Sequence, residues 1–312
     1  MIRSFVPALG AALLCSGLAH AQPIHPPPLS PIKTVNGRVW VSEEDGTLHL
    51  TVNRSETYSL VNDGNWERVL RGSADQEVEA RILIVAPGMF GGSARVLGLT
   101  RDVKGQVNLP MGGAPMIAVN KSQNWQLQGE AFKQYLLARL NQEVEARIKV
   151  VEPGMFGGKV EVVAVYRDTR GRVVAAMDGG PVNIVANKSN SFQVTNDPFK
   201  GLLLSQADQQ VSARLKVTSA GMFGGEAEVL HLDGRTTKNK LLRGIRAGKL
   251  INLGYVPSGS FVEVTGVSRR FPSYLEVTLE DGRKGLISRN AIDLTQPIPL
   301  HGAGITATLE NE

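Results

Sequence analysis

The chain is poor in the residues that most often carry chemistry. It has one cysteine, Cys15, among 312 residues, so no intramolecular disulfide can form and no thiolate cluster can hold a metal. Histidines are few. Those beyond residue 21 (His25, His49, His231, His301) stand far apart, and no two have metal-ligand spacing. Aromatics make up only 5% of the chain. No apolar run is long enough to span a bilayer. No glycine-rich loop leads into a helical pattern, which removes the phosphate-cradle reading. No serine of the recurring turns has a histidine placed near it by pattern. Neighbouring carboxylates such as Glu143 and Glu145 share a strand face with Arg147 and Lys149, so they read as solubilising charge and not as an acid/base pair. These absences point away from an enzyme and away from any cofactor or metal.

What the chain has instead is repetition. Gly-Met-Phe-Gly-Gly occurs at 88–92, 154–158 and 221–225, at spacings of 66 and 67 residues. A fixed period of that size marks one folding unit copied in tandem. Asn53-Arg54-Ser55, Asn120-Lys121-Ser122 and Asn187-Lys188-Ser189 recur with it. So do the aromatics Tyr58, Trp125 and Phe192, and then Trp66, Phe132 and Phe199. Each of the second set is followed at plus three and plus four by an apolar pair: Val69 and Leu70, Tyr135 and Leu136, Leu202 and Leu203. That spacing predicts one face of a short helix. Strict alternation follows. In the second copy Val144, Ala146, Ile148 and Val150 take one face, and Glu143, Glu145, Arg147 and Lys149 the other. This predicts a strand with one buried side, turning at the glycine-rich pentapeptide into a second strand. Gly37-Arg38-Val39, Gly105-Gln106-Val107 and Gly171-Arg172-Val173 open further apolar runs.

One copy then reads strand, strand, strand, short helix, strand, strand. That order resembles the OB-fold, a small five-stranded barrel. The resemblance implies three OB-like barrels at 32–101, 102–168 and 169–233, in an all-β chain with short helices. Beyond residue 233 the grammar changes. Leu242-Arg243-Gly244, the strand Gly259–Val264, the strand Tyr274–Leu279, the turn Glu280-Asp281-Gly282-Arg283 and a closing helical turn at 288–292 resemble a bacterial SH3-like domain over 234–296. That family usually has tryptophan where Leu286 stands, and often another where Tyr274 stands. The resemblance implies groove residues at Tyr274, Arg283 and Lys284.

The ends carry other signals. Residues 1–21 resemble a secretory signal peptide, with Arg3, an apolar stretch from Phe5 to Leu14, and Ala19-His20-Ala21 as cleavage site. Leu14 precedes Cys15 where a lipoprotein signal needs a small residue, so lipidation is disfavoured. Residues 22–31 form a proline-rich tether, and 297–312 a tail that ends acidic. A periodic array behind such a leader is expected in the bacterial periplasm or outside the cell, with no transmembrane segment in the mature chain. Residues 22–232 hold 22 Lys and Arg against 21 Asp and Glu, whereas 233–290 hold 11 against 5. A basic C-terminal unit is either a solvated face or a surface for an anionic envelope component. Nucleic acid is disfavoured as a partner, because the basic residues are not interleaved with aromatics.

Candidate binding residues are the turn tips Met89 and Phe90, Met155 and Phe156, Met222 and Phe223. In one reading they fold back as plugs in the barrel ends. That reading is favoured, because exposed Met-Phe pairs invite aggregation. In the other they are a row of contacts for a protein or glycan. The functions in view are a non-enzymatic envelope binding or scaffolding protein that engages cell-wall glycan, peptide or an envelope protein, and a partner-binding accessory or adhesin-like protein acting through the tips. An enzyme with an inter-domain site is the third.

Overall fold

The computed structural model describes residues 32–295 apart from 112, 122, 177–179 and 222–223. The expected signal peptide, tether and tail, and the third tip residues Met222 and Phe223, lie outside the described residues. The described residues are mostly β-strand, with three short α-helices among them. The nineteen strands among the described residues form one hydrogen-bonded sheet system.

The first copy comprises β1 (Ile32–Val41), β2 (Leu48–Asn53), β3 (Glu56–Leu60), α1 (Gly64–Arg71), β4 (Glu77–Gly88) and β5 (Gly91–Asn108). β1 pairs antiparallel with β2 and β4, β2 with β3, and β4 with β5, while β3 runs parallel to β5. The circuit β1-β2-β3-β5-β4-β1 is therefore closed, which leaves no free edge. The second copy adds β6 (Met116–Asn120), β7 (Gln123–Gln128), α2 (Lys133–Leu137), β8 (Glu143–Gly154) and β9 (Gly157–Ala175). The third adds β10 (Val182–Asn187), β11 (Asn190–Val194), α3 (Asp197–Leu204), β12 (Gln210–Gly221) and β13 (Gly224–Thr236). Both repeat the first circuit's pairings, including the parallel pairs β7–β9 and β11–β13.

Consecutive circuits share strands. β5 closes the first circuit with its front half and opens the second with its back half, and β9 does the same one copy later. This corrects the reading of Gly37, Gly105 and Gly171 as starts of runs. Each lies inside a long strand, next to the residue where pairing passes from one neighbour to the other: Arg38, Gln106 and Arg172. A Cβ at any of the three glycines would press on a backbone carbonyl of the adjacent strand: Thr51, Ala118 or Val185. A bare Cα is what lets the strand bend there.

The alternation holds as expected. Ala80, Ile82, Ala146, Ile148, Ala213 and Leu215 are buried, as are the helix pairs Val69/Leu70, Tyr135/Leu136 and Leu202/Leu203. Each helix is followed by a residue in the left-handed region, Asp75 (φ 65°), Asn141 (φ 63°) and Asp208 (φ 66°), residue types that tolerate it. Their N–H groups donate to the carbonyls of Val39, Val107 and Val173 at 2.7, 2.8 and 2.9 Å, so helix exit and first strand are locked together in every copy. Asn62 and Asn196 clamp the N–H and C=O of Val96 and Val229 before their helices, whereas the second copy has Gly129 at that place.

The C-terminal unit contains β14 (Lys240–Arg246), β15 (Lys249–Val256), β16 (Phe261–Val267), β17 (Tyr274–Leu279), β18 (Lys284–Ser288), a 3-10 turn at Arg289–Ala291 and β19 (Ile292–Asp293). It joins the array through β13, whose last residues pair with β16 and β19. Helix α3 packs toward β16, as α1 packs toward β8 and α2 toward β12. The unit thus occupies the place of a next repeat.

Candidate functional site

The pentapeptide turn separates into two parts with different jobs. In β4–β5, Gly88 pairs with Gly91 and Pro87 with Gly92, so Met89 and Phe90 form a two-residue tip. In β8–β9, Gly154 pairs with Gly157, and Met155 and Phe156 form the tip. Gly91 and Gly157 have φ of 122° and 118°. A Cβ there would drive into the backbone of Thr57 and Asn124 respectively. The glycines are needed because the new strand begins in parallel register against β3 or β7 at once. The carbonyls of Phe90 and Phe156 accept from Thr57 N–H at 2.8 Å and Asn124 N–H at 2.6 Å, which pins each tip.

In the first two copies the tip side chains are not plugs. Met89 is 90% exposed and Phe90 67%, and Met155 and Phe156 are 61% and 60% exposed. The plug expectation fails for these two tips: the cores are made by other side chains, among them Tyr58, Leu70, Trp125 and Leu136, and the pinned tip carbonyls hold each turn at its strand ends.

Met155 also walls a cavity of about 200 Å³ between the first two copies, together with Arg68 and Val69 of α1, Gln123 and Trp125 of β7, Gly154 and Gly157. A larger cleft of about 560 Å³ lies between α3 and the C-terminal unit. Pro198, Leu230, Ile245 and Val267 give it apolar walls, and Arg269 and Arg270 make one side basic. Tyr274, Arg283 and Lys284 do not converge. Tyr274 meets Phe271 edge-on at 6.4 Å, at one end of the β17–β18 hairpin. Lys284 lies at the other end, four positions along and about 13 Å away. Arg283 is held by Asp281 at 2.7 Å, and Leu286 is buried.

Sequence reading passed over one repeated device. Lys33 lies 4.7 Å from the ring centroid of Tyr58, the Arg101 guanidinium 5.9 Å from Trp125, and that of Arg167 5.5 Å from Phe192. All three cations stand at the same strand position, each pairing opposite the buried residue Ile82, Ile148 or Leu215. The signal was present as a basic residue four places before each of Gly37, Gly105 and Gly171. Arg101 is the buried member. It donates to the Gly72 carbonyl at 2.8 Å and the Ser73 hydroxyl at 2.6 Å, at the end of α1, and burial pushes it down to about 10, with Asp102 opposing. It therefore stays charged at neutral pH and ties the second copy's first strand to the first copy's helix end, where a cation is favoured.

A second ladder runs across the copies. Arg147 reaches Glu79 at 3.8 Å and Asp102 at 3.3 Å, and Arg214 reaches Glu145 and, at 3.1 Å, Asp168. The outward charges of the alternating strands thus cross-link neighbouring copies as well as solubilising them. Among the described residues there is no cluster of metal-binding side chains, and no helix is long and apolar enough to cross a membrane.

No protein-family model matches the chain, and a search of curated proteins finds no match.

Proposed function

We propose that the protein is a non-enzymatic binding and scaffolding protein of the bacterial cell envelope, built from three OB-like barrels and an SH3-like unit, which engages its partner through the Met-Phe tips. The observation that carries this reading is the exposure of Met89, Phe90, Met155 and Phe156 on turns whose backbone is pinned. Fixed apolar side chains in water, presented at equivalent places on successive barrels, are what a repeated contact surface needs. The strand circuit β1-β2-β3-β5-β4 supports the OB-like assignment. The 3-10 turn before the last short strand supports the SH3-like one. The leader-like pattern of residues 1–21 supports an envelope location.

Tip exposure also favours the accessory reading, in which the partner is an envelope protein and the tips alone make the contact. Retention of the chain on isolated cell-wall sacculi separates the two. Retention that survives replacement of Phe90 and Phe156 by serine assigns attachment to other surfaces. Retention lost in that variant assigns it to the tips. Absence of retention, with capture of an envelope protein instead, establishes the accessory role.

A further inference from the structure

The C-terminal unit keeps an open sheet edge, unlike the closed circuits of the repeats. β15 pairs with β14 and with no other described strand. Its residues are exposed or half-buried from Lys249 to Tyr255. The hairpin turns at Ala247 (φ 47°) and Gly248 (φ 81°), both in the left-handed region, so Arg246 and Lys249 are the hydrogen-bonded pair that closes it. Alternation then points the N–H and C=O of Leu250 and Asn252 away from β14. Neither residue has another backbone partner among the described residues. Leu253 is the extra residue of a bulge, so the regular edge runs from Lys249 to Asn252. Ile245, Ile251, Leu253 and Tyr255 hold large apolar side chains in water around it. Folded chains normally guard such an edge with charge or cover it. Here the charges are of one sign. Residues 240–256 hold Lys240, Arg243, Arg246 and Lys249 and no carboxylate. None of the four has an ion-pair partner among the described residues, whereas Lys104, Lys149 and Lys216 on the repeat strands meet Glu143, Glu161 and Glu228.

We propose that β15 receives an extended, acidic segment of a partner polypeptide, which adds as a further strand beside Lys249–Asn252. Such a strand would pair with the outward N–H and C=O groups of Leu250 and Asn252. Main-chain pairing of this kind supplies affinity, and alternate side chains supply specificity. Arg246 and Lys249 share one face of the hairpin and Arg243 lies on the other, because cross-strand partners point the same way. Carboxylates on either side of the incoming strand would therefore meet a cation. Ile251 and Ile245 lie on those same two faces and would take its apolar side chains. A second copy is the weaker fit, since two such hairpins edge to edge would set like charges together with nothing to neutralise them. A polyanionic glycan would answer the charge but leave the strand's backbone groups unpaired. The surface is separate from the Met-Phe tips, and neither reading depends on the other.

The test is NMR on the ¹⁵N-labelled full chain. The probe is a capped hexapeptide that alternates glutamate with valine. It is compared with its lysine–valine counterpart and with a fully N-methylated version, which keeps the charges but cannot donate. The glutamate peptide should shift the amide signals of Leu250 and Asn252 and slow their hydrogen exchange. The lysine and the N-methylated peptides should each bind at least about tenfold more weakly. Leu250→Pro deletes one outward donor where an edge strand tolerates proline, and should weaken the glutamate peptide about tenfold with the fold retained. Should that variant unfold, the double variant Arg246→Glu, Lys249→Glu decides instead, and it should bind the lysine peptide in preference to the glutamate peptide. No response to the glutamate peptide would overturn the proposal, and equal binding of the N-methylated peptide would overturn it in favour of charge alone. A matching response to pentagalacturonate would overturn it in favour of a glycan. Slow exchange at Leu250 and Asn252 in the free chain would also overturn it. Protection that fades on dilution would assign the edge to a second copy, and protection that persists would assign it to the chain itself. None of these results touches the tip reading, which is tested on Phe90 and Phe156.

Discussion

The guanidinium of Arg101 lies 5.9 Å from the ring centroid of Trp125 and is sealed from water by it and by the end of α1. One residue of the second barrel thus closes against the last turn of the first. The same cation–ring pair in the neighbouring copies, Lys33 with Tyr58 and Arg167 with Phe192, leaves the cation partly open to water. Removing a buried cation that holds a helix-end carbonyl exposes both a void and an unmet acceptor. Arg101→Ala should therefore cost about 2–4 kcal/mol, and the cost should appear as a lowered urea midpoint for the whole array.

The strand register sets a contrast between adjacent residues. Ile148 is fully buried, and Ile148→Asp should cost several kcal/mol, on the order of 3–5, because it buries a charge. Arg147 is partly exposed and paired with Glu79 and Asp102, so Arg147→Ser should cost no more than about 1 kcal/mol. Thermal melting of the two variants checks this, and equal shifts would show the register to be wrong.

The paired glycines of the turn are required by backbone contact. Gly91→Ala must force a side chain against the Thr57 backbone at a φ of 122°, and should cost about 2 kcal/mol or more. Gly46→Ala also has a positive φ, 71°, but meets open space, and should cost only about 1 kcal/mol. Chemical denaturation of both proteins gives the comparison.

The tip side chains should be dispensable for folding. Phe90→Ser and Phe156→Ser should leave stability within about 0.5 kcal/mol of the parent, since both rings are mostly in water. A melting temperature lowered by many degrees in either variant would return the tips to a packing role.

Acid should release a tie inside the first barrel. Glu56 accepts from Lys33 and from the Tyr58 hydroxyl, and these bonds hold its carboxyl below the usual range against the opposing effect of burial. A carboxyl depressed in the folded state contributes stability above its unfolded value of about 4.3, and the contribution is lost as pH falls through the folded value. Lys33 is raised by the same bonds, although burial lowers it, so its share is complete below its unfolded value of about 10.4 and fades only at higher pH. Glu56→Gln should thus be less stable than the parent at pH 7, and the difference should shrink as pH falls below the unfolded value of about 4.3. Urea midpoints at pH 7, 4 and 3 would reveal a constant difference if the tie were absent.

The period, the buried faces and the helix positions were legible in the chain because each is local. Alternation at Val144, Ala146, Ile148 and Val150 can only be a strand with one wet face, and a repeated Tyr135-Leu136 pair after Phe132 can only be a short turn of helix against a core. Nothing local told that Gly105 lies within one unbroken strand from Gly91 to Asn108, because the change of partner at Gln106 depends on β6 and β8, which are distant in sequence. The Met-Phe tips were misjudged for a related reason. Apolar side chains favour burial in general, but whether a given pair is buried depends on where the turn is held, and here the Phe90 and Phe156 carbonyls fix each tip so that its side chains stay exposed. The sequence by itself determined a repeated all-β unit and which side chains enter its core. Tertiary structure alone decided that the copies share strands and that Arg147 and Arg214 link them. Those outcomes rest on contacts between residues far apart along the chain, and only closure of the circuits brings such residues together.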